Sequence, residues 1–178
     1  MTFIQHYDSP LGIALLAADE IGLTGLWFEG QNYFSGHLPA EHMEQEHPIL
    51  AETKRWLDIY FAGSQPDFCP PLHLTGSAFR QSVWEILLQI PYGQTTTYGE
   101  IAHQLAKKRG LARVSAQAVG GAVGHNEISV IIPCHRVVGT NGSLTGYAGG
   151  MDRKVKLLAL EQADMTRLFV PKTGTALL

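Results

Sequence analysis

A short apolar run that stops at a proline constrains this chain more than any other feature. The run Ile128-Ser129-Val130-Ile131-Ile132 precedes Pro133-Cys134-His135-Arg136-Val137. β-Branched residues favour extended backbone, and the residue before a proline is held away from helical angles. The pattern therefore predicts a buried strand that ends in a turn and presents Cys134 there.

A histidine and an arginine follow this cysteine in the sequence. His135 and Arg136 follow it directly, and nearby positive charge lowers a thiol pKa and favours the nucleophilic thiolate. We therefore predict an activated sulfur at Cys134, whereas the second cysteine, Cys69, has no such neighbours. Because adjacent side chains seldom face each other, a bridging water could carry the thiol proton to His135.

Length and composition indicate a globular protein of one large domain or two small ones. Of its 178 residues, 45% are hydrophobic and 16% charged. Two cysteines do not make a disulfide framework, so we expect reduced thiols and a cytoplasmic location. We expect no signal peptide, because no basic region precedes an apolar run at the N-terminus. No apolar stretch approaches the roughly 18 residues that a membrane span needs.

The net charge of −3 hides an uneven distribution of charged residues. Residues 1–78 carry two basic and ten acidic side chains, whereas residues 79–178 carry eleven basic and six acidic ones. Chance segregation over a solvated surface explains this pattern. Two domains, the second of which faces a polyanion, explain it equally well.

Residues 1–76 are predicted to form a small domain with a linker. Strand-like pieces separated by turn residues indicate a β-meander, and the polar stretch 29–47 indicates a loop. The apolar spacing from Pro48 to Phe61 fits an amphipathic helix. The expected strands are Phe3–Tyr7, Ile13–Ala17 and Leu23–Phe28, and the expected linker is 63–77.

Residues 77–178 are predicted to form a second, mainly helical domain. Serine is a favoured N-cap, and Ser77 and Ser115 each precede an apolar helical pattern. Two short helices joined by a basic turn resemble a helix-turn-helix. The helices are expected from Ser77 to about Gln89, from Tyr98 to about Lys107, and from Ala116 to about Gly124.

The helix after Ser115 is poor in large side chains. Glycine inside a helix costs about 1 kcal/mol relative to alanine, so repeated glycines need a reason. Tight packing against a neighbouring element is one explanation. Close approach to the minor groove of DNA, where shape and phosphates dominate recognition, is the other. The small residues are Ala116, Ala118, Gly120, Gly121, Ala122 and Gly124.

Two further polar residues are candidates for the chemistry. A histidine that acts as a base needs an acceptor at its other ring nitrogen, and Glu161, after the helix Arg153–Leu160, is a candidate. Periodicity alone would instead make Glu161 a solvated acid at a helix end. Asn126 could equally be a polar C-cap of the preceding helix.

Several spaced motifs together resemble the O6-alkylguanine-DNA alkyltransferase family, also called methylated-DNA–protein-cysteine methyltransferases. The strong match covers residues 77 to about 165, and the N-terminal segment matches only through Ser9-Pro10-Leu11-Gly12. Several motifs in the same order make a chance match improbable. The motifs are Val83-Trp84, Gly93 to Tyr98, Ala118-Val119-Gly120-Gly121-Ala122, Asn126, Pro133-Cys134-His135-Arg136-Val137, Leu144 to Gly150, and Glu161.

The resemblance implies both a fold and an activity. The fold is α+β, with a ribonuclease H-like N-terminal domain and a mainly helical C-terminal domain that contains a winged-helix-like helix-turn-helix. The activity is that of a self-inactivating methylated-DNA–[protein]-cysteine S-methyltransferase, which flips O6-alkylguanine out of double-stranded DNA. Cys134 would keep the alkyl group, His135 would deprotonate the thiol through a water, and Glu161 would orient the imidazole. No cofactor is implied, and we expect a monomer.

The resemblance also implies residues that bind the base and the DNA. Asn126 would link the recognition helix, which contains Gly120, to the active-site turn. Tyr98 would lie near the rotated phosphate and hydrogen-bond the guanine ring. The base pocket would be completed by Tyr147, the Ala148 amide, and the carbonyls of Cys134 and Val137.

Gln117 departs from the family pattern. The family commonly has an arginine at this position, three residues before the Gly-Gly pair, and it fills the gap left by the flipped base. Glutamine brings no charge but can still hydrogen-bond the orphaned base. The preceding turn is longer and more basic than usual, so Arg113 or Lys108 is expected to contact phosphates; a solvated basic loop explains the same residues.

No metal site is expected, although some members of the family carry zinc in the N-terminal domain. Cys69 is alone, and His37, His42 and His47 recur every five residues, which does not place them on one helical face.

Three alternative functions are a non-catalytic lesion-binding relative, a Cys-His thiol hydrolase and a helix-turn-helix regulator. Cys134 argues against the first, and the helix-turn-helix is unexplained by the second. The cysteine turn is unexplained by the third.

Overall fold

The computed structural model describes residues 1–171 and contains two compact units. Met1–Thr75 and the short segment Glu127–Ile131 form the first unit, and Gly76–Asn126 and the chain from Ile132 form the second. The first unit contains a sheet with one helix, and the second is mainly helical. The predicted α+β fold class is therefore confirmed.

A four-stranded sheet with the order β3-β2-β1-β4 builds the first unit. Its first three strands are the predicted antiparallel meander, in which Ile4 lies opposite Ala17 and Leu16 lies opposite Leu26. Gly12 has φ +117°, an angle that glycine adopts readily and that begins β2 after the turn. The strands are β1 (Thr2–Ser9), β2 (Gly12–Ala18) and β3 (Leu23–Phe28).

The fourth strand lies where a loop was predicted, so the prediction for 29–47 is partly wrong. β4 (His42–Glu44) pairs in parallel with β1, with Thr2 opposite His42. All three residues of β4 are exposed, so the sequence carries no alternation of apolar and polar residues that would mark a strand.

One helix accompanies the sheet. α1 (Pro48–Phe61) has the predicted bounds, because His47 accepts a hydrogen bond from the Ile49 N–H and Pro48 fits the first helical turn. Its buried face includes Leu50, Leu57 and Tyr60, and the Tyr7 hydroxyl donates to Asp58 (2.7 Å).

Over the residues that are described, up to position 171, the second unit contains four helices and two short strands. Ser77, Thr97 and Ser115 each accept hydrogen bonds from the first turn of a helix, which confirms the predicted caps at Ser77 and Ser115. Within residues 1–171, no helix is long and apolar enough to cross a membrane. The elements are α2 (Ala78–Leu87), β5 (Thr96–Thr97), α3 (Tyr98–Arg109), α4 (Ala116–Gly124), β6 (Val137–Val138) and α5 (Met151–Leu160).

The predicted strand at 128–132 is wrong. Ile128 makes a single bridge to Leu26, and the chain then turns, with the Ile131 N–H bonded to the Ser129 carbonyl (2.8 Å). Val130 has φ +68°, which no strand allows and which is strained for a β-branched residue. Ile128 to Ile132 are all buried. The apolar run is therefore a consequence of burial, and it does not indicate an extended backbone.

Candidate active site

A single tight turn holds Cys134 in the interior. Cys134–Arg136 form one turn of 3-10 helix, in which the Arg136 N–H donates to the Pro133 carbonyl (3.0 Å). The Cys134 N–H donates to the Ile132 carbonyl (2.8 Å), and only 3% of Cys134 is exposed. The sulfur is therefore enclosed by protein, and a substrate group must be inserted to reach it.

Burial dominates the electrostatics of the Cys134 sulfur. It raises the pKa of the thiol to about 11, while the hydrogen bond from Asn126 and the charge of Lys154 act in the opposite direction with smaller effect. The predicted activation by His135 and Arg136 is wrong for the resting protein, because both side chains bind Glu161 instead. The thiol is therefore protonated at neutral pH.

Asn126 joins the end of α4 to the cysteine turn. Its buried amide Nδ2 donates to the Ile132 carbonyl (2.9 Å) and to Cys134 Sγ (3.2 Å). His125, and not Asn126, occupies the C-cap position of α4. A donor directed at sulfur stabilises the thiolate more than the thiol, so this bond lowers the thiol pKa.

Glu161 is a buried acceptor, so the alternative of a solvated helix-end acid is wrong. It is 3% exposed, and its carboxylate accepts from His135 Nε2 (2.7 Å), from Arg136 Nε (2.8 Å) and Nη2 (3.0 Å), and from the Gly93 N–H (3.0 Å). Burial alone would raise the pKa of the carboxyl, but these hydrogen bonds and charges hold it well below its usual range. Glu161 is therefore ionised.

His135 is a fully buried, neutral imidazole. Burial lowers the pKa of the ring and outweighs the opposing effect of the Glu161 carboxylate. Because Nε2 faces an ionised carboxylate, we assign the ring proton to Nε2, which leaves a lone pair on Nδ1. Nδ1 is buried and has no hydrogen-bond partner within the described residues 1–171. A neutral imidazole with this lone pair has the properties of a general base.

Lys154 is a buried amine for which the sequence pattern suggested no role. Its Nζ donates to the carbonyls of Val137 (2.6 Å) and Thr145 (2.8 Å), and burial lowers its pKa to about 8. A signal was present in the spacing, because Lys154 and Leu157 in α5 and Glu161 at its C-cap recur at helical intervals. Arg136 was likewise assigned only a charge near sulfur, although it is a bidentate partner of Glu161.

The loop 142–150 meets α3 beside Lys154. The Tyr98 hydroxyl donates to the Thr145 carbonyl (3.1 Å), which is also an acceptor for Lys154. Tyr98, Tyr147 and Ala148 are all buried, and burial raises the pKa of Tyr98. The ring of Tyr147 lies edge-on to that of His135, with centroids 6.4 Å apart. The predicted base-binding residues therefore lie around the cysteine turn.

α3, the turn at 110–115 and α4 form the predicted helix-turn-helix. Arg113 and Gln117 are exposed, whereas Gly120 is buried. α4 contacts α2, where Trp84 Nε1 donates to the Ala122 carbonyl (2.9 Å). A Cβ added to Gly121 would meet no atom within 4 Å. Tight packing is therefore no explanation for the glycine at position 121.

The structure separates the predicted site residues into two groups. One group surrounds the sulfur or lines the loop beside it, and the other lies on the helix-turn-helix. The first contains Cys134, His135, Asn126, Glu161, Val137, Tyr98, Tyr147 and Ala148, and the second contains Arg113, Gln117 and Gly120. Among residues 1–171, no three His, Cys, Asp or Glu side chains are grouped so that they could hold a metal ion.

A helix-turn-helix and an enclosed thiol with its own imidazole–carboxylate pair define a class of DNA-binding proteins with a nucleophilic cysteine. Matches to two family models define this class more closely. Residues 78–163 match the model for "6-O-methylguanine DNA methyltransferase, DNA binding domain", and residues 3–74 match the model for "6-O-methylguanine DNA methyltransferase, ribonuclease-like domain".

Individual proteins agree with these models. The methylated-DNA–protein-cysteine methyltransferase of Mycobacterium leprae is 44% identical over 165 residues, covering 91% of this chain and 93% of the relative. That of Methanosarcina acetivorans is 43% identical over 159 residues, covering 87% and 95%. The crystal structure of Mycobacterium tuberculosis OGT in complex with DNA is 42% identical with a TM-score of 0.78, covering 90% and 92%. The chain therefore belongs to the 6-O-methylguanine DNA methyltransferase family.

Proposed function

We propose that this protein repairs double-stranded DNA by transferring the alkyl group of an O6-alkylguanine to its own Cys134. The observation that carries the proposal is the enclosed thiol, bonded by Asn126 and adjacent in sequence to a neutral His135 that Glu161 holds. The relatives named methylated-DNA–protein-cysteine methyltransferases, and the relative crystallised with DNA, support it.

The resting thiol needs a base, because its pKa of about 11 leaves almost no thiolate at neutral pH. His135 accepts the thiol proton at Nδ1, through a water, and the ionised Glu161 carboxylate stabilises the resulting imidazolium. The S–C bond forms as the bond between the alkyl carbon and guanine O6 breaks, and the electron pair goes to the guanine, which takes up a proton.

Two groups stabilise the negative sulfur while the base is in place. Asn126 Nδ2 already donates to Sγ, and the positive charge of Lys154 favours the thiolate. Both act in a dry site, where a fixed dipole or charge has a larger effect than in water. The product is a thioether, and the sequence offers no machinery to hydrolyse it. Each molecule therefore reacts once and needs no cofactor.

The alkylated base reaches the sulfur only after it leaves the duplex stack. Unstacking costs a few kcal/mol and is easiest for a damaged pair. Tyr98 hydrogen-bonds the ring, Tyr147 and the Ala148 amide close the pocket, and the Cys134 and Val137 carbonyls accept from the exocyclic amine. The Val137 carbonyl oxygen already accepts one hydrogen bond from Lys154, so the exocyclic amine of guanine donates to the second lone pair of that oxygen.

The helix-turn-helix binds the duplex. Gln117, exposed in the first turn of α4, fills the gap left by the base, and Arg113 and Lys108 contact phosphates. Gly121, beside which a side chain would meet no protein atom, keeps α4 smooth where it approaches the DNA, whereas the buried Gly120 lies on the inner side of the helix. The protein acts as a monomer in the cytoplasm, where it reaches its DNA substrate.

An intact-mass measurement tests the proposed function. Incubation with duplex DNA that contains O6-methylguanine is expected to add about 14 Da once, which is one methyl group in place of one hydrogen, and peptide mapping is expected to place it on Cys134. Unmodified duplex is the control. Label on Cys69, or repeated turnover without label, would contradict the proposal, and repeated turnover would favour a thiol hydrolase.

Gln117→Arg is expected to speed single-turnover repair by roughly fivefold, or about 1 kcal/mol, because the longer guanidinium side chain fills the gap left by the extruded base more completely. Rapid-quench kinetics at saturating DNA would measure the rate. Gln104→Arg is the matched control, because it adds the same charge to an exposed position of α3. An equal gain in both variants would show that charge alone matters and would contradict the gap-filling role of Gln117.

A further inference from the structure

We propose that Glu127 is a positioning residue that fixes Asn126 against the Cys134 sulfur. The inference rests on the proposed function, in which Asn126 supports the reacting thiol. Glu127 follows Asn126 directly in the chain.

Glu127 is a buried carboxylate with two short side-chain contacts. It is 6% exposed; its Oε2 accepts from Trp27 Nε1 (2.6 Å), and its Oε1 lies 2.6 Å from Nδ1 of the half-exposed His37. Hydrogen bonds to a charged acceptor are the shorter and stronger ones, so these contacts hold the side chain tightly. We call Trp27, His37 and Glu127 the carboxylate clamp.

The backbone around Glu127 is fixed to the same strand. The Leu26 N–H donates to the Glu127 carbonyl (2.8 Å), and the Ser129 N–H donates to the Leu26 carbonyl (3.0 Å). Side chain and main chain of Glu127 are thus both bonded to neighbouring residues of β3. A residue held at both its carboxylate and its carbonyl can neither slide nor rotate without breaking buried hydrogen bonds.

The clamp acts on the thiol through one peptide bond. The planar peptide leaves only two soft dihedral angles between Asn126 and Glu127, so fixing Glu127 limits where the Asn126 side chain can point. Asn126 Nδ2 must reach the Ile132 carbonyl and Cys134 Sγ together, at 2.9 and 3.2 Å. Ile132 lies at the other end of the same clamped segment. Loss of the clamp therefore loosens the Asn126 end of the connection that orients the sulfur.

Glu127→Ala tests the proposal, with Glu127→Gln as the conservative variant, since its amide oxygen still accepts from Trp27. The expected result for Glu127→Ala is a fall in single-turnover transfer at saturating DNA of about tenfold or more, with the DNA dissociation constant within about twofold of the parent protein. Glu127→Gln is expected to recover a large part of the rate. Trp27→Phe removes the indole N–H donor, keeps an aromatic side chain at the position, and is expected to slow transfer in the same sense.

A second readout separates positioning from a general loss of structure. The pH at which the Cys134 thiol reacts half-maximally with methyl methanethiosulfonate, in a Cys69→Ala background, is expected to rise by roughly half a unit or more in Glu127→Ala, because the donor to sulfur is displaced. His73→Gln is the matched control. It breaks a histidine–carboxylate contact of equal length to Asp19 (2.6 Å) in the same unit and is expected to leave rate and pH midpoint unchanged.

Three outcomes would overturn the inference. These are an unchanged rate and pH midpoint in both Glu127→Ala and Trp27→Phe, an equal effect of His73→Gln, or no recovery in Glu127→Gln. Failure of the proposed function looks different, because the parent protein itself would then take no methyl group from O6-methylguanine DNA, while the pH midpoint of the thiol would still report on the clamp.

Discussion

Cys134→Ala is expected to abolish methyl transfer completely and to leave the affinity for duplex DNA within about twofold of the parent protein. Transfer is lost because the substitution removes the sulfur that attacks the alkyl carbon. Binding is retained because the sulfur is 3% exposed and the proposed DNA contacts lie on the helix-turn-helix. Intact mass after incubation with O6-methylguanine duplex measures the first quantity, and fluorescence anisotropy measures the second.

Cys134→Ala is expected to disturb the structure around the sulfur only slightly. Removal of Sγ takes away one of the two acceptors of Asn126 Nδ2, and the other bond, to the Ile132 carbonyl (2.9 Å), is kept. Cys69→Ala is the matched control, since Cys69 is exposed and is expected to have no effect on either quantity. A loss of DNA affinity in Cys134→Ala would mean that the cysteine turn itself forms part of the DNA interface.

Glu161→Gln is expected to lower the free energy of unfolding by about 3–5 kcal/mol and to slow transfer by about 100-fold or more. A neutral amide cannot compensate the positive charge of the buried Arg136 guanidinium. Its NH₂ group would also face N–H donors whose hydrogen bonds the carboxylate accepts. The neutral amide also cannot stabilise the imidazolium that forms when His135 takes the thiol proton. Urea unfolding at pH 7 and rapid-quench kinetics measure the two effects.

The pH dependence of unfolding gives an independent signature of Glu161. Its pKa is lowered in the folded protein, so the unfolded chain binds the proton first as the pH falls. The stability that Glu161 contributes is therefore present above its unfolded pKa of about 4.3 and is lost as the pH falls below it. The parent protein should lose stability steeply in this range, and Glu161→Gln should show a shallower dependence.

Asp152→Asn is the matched control for Glu161→Gln. It removes a carboxylate from the same helix, but its partner Lys156 lies one turn away, and both side chains are exposed. Such a surface pair contributes less than about 1 kcal/mol. A loss of stability in Asp152→Asn as large as that in Glu161→Gln would contradict the assignment of the effect to the buried network.

Local signals in the sequence predicted the helices well. Proline at the first turn of α1 and serine before α2 and α4 are short-range devices, and each helix begins where its signal lies. β4 gave no such signal, because its three residues are exposed and its pairing with β1 is non-local. The prediction of a strand before Cys134 was wrong for a related reason. Burial favours apolar β-branched residues whether the backbone is extended or turned.

The sequence by itself identified the family and predicted the nucleophile and the base. The spacing of Asn126, Cys134, His135 and Glu161 is a property of the chain, and it is enough to predict the chemistry. Only the tertiary structure decided the state of these groups. Burial sets the thiol protonated and the imidazole neutral, and Arg136, Lys154 and Glu127 gain their partners through contacts between distant segments. A pKa depends on the dielectric and the charges around a group, and folding alone brings those together.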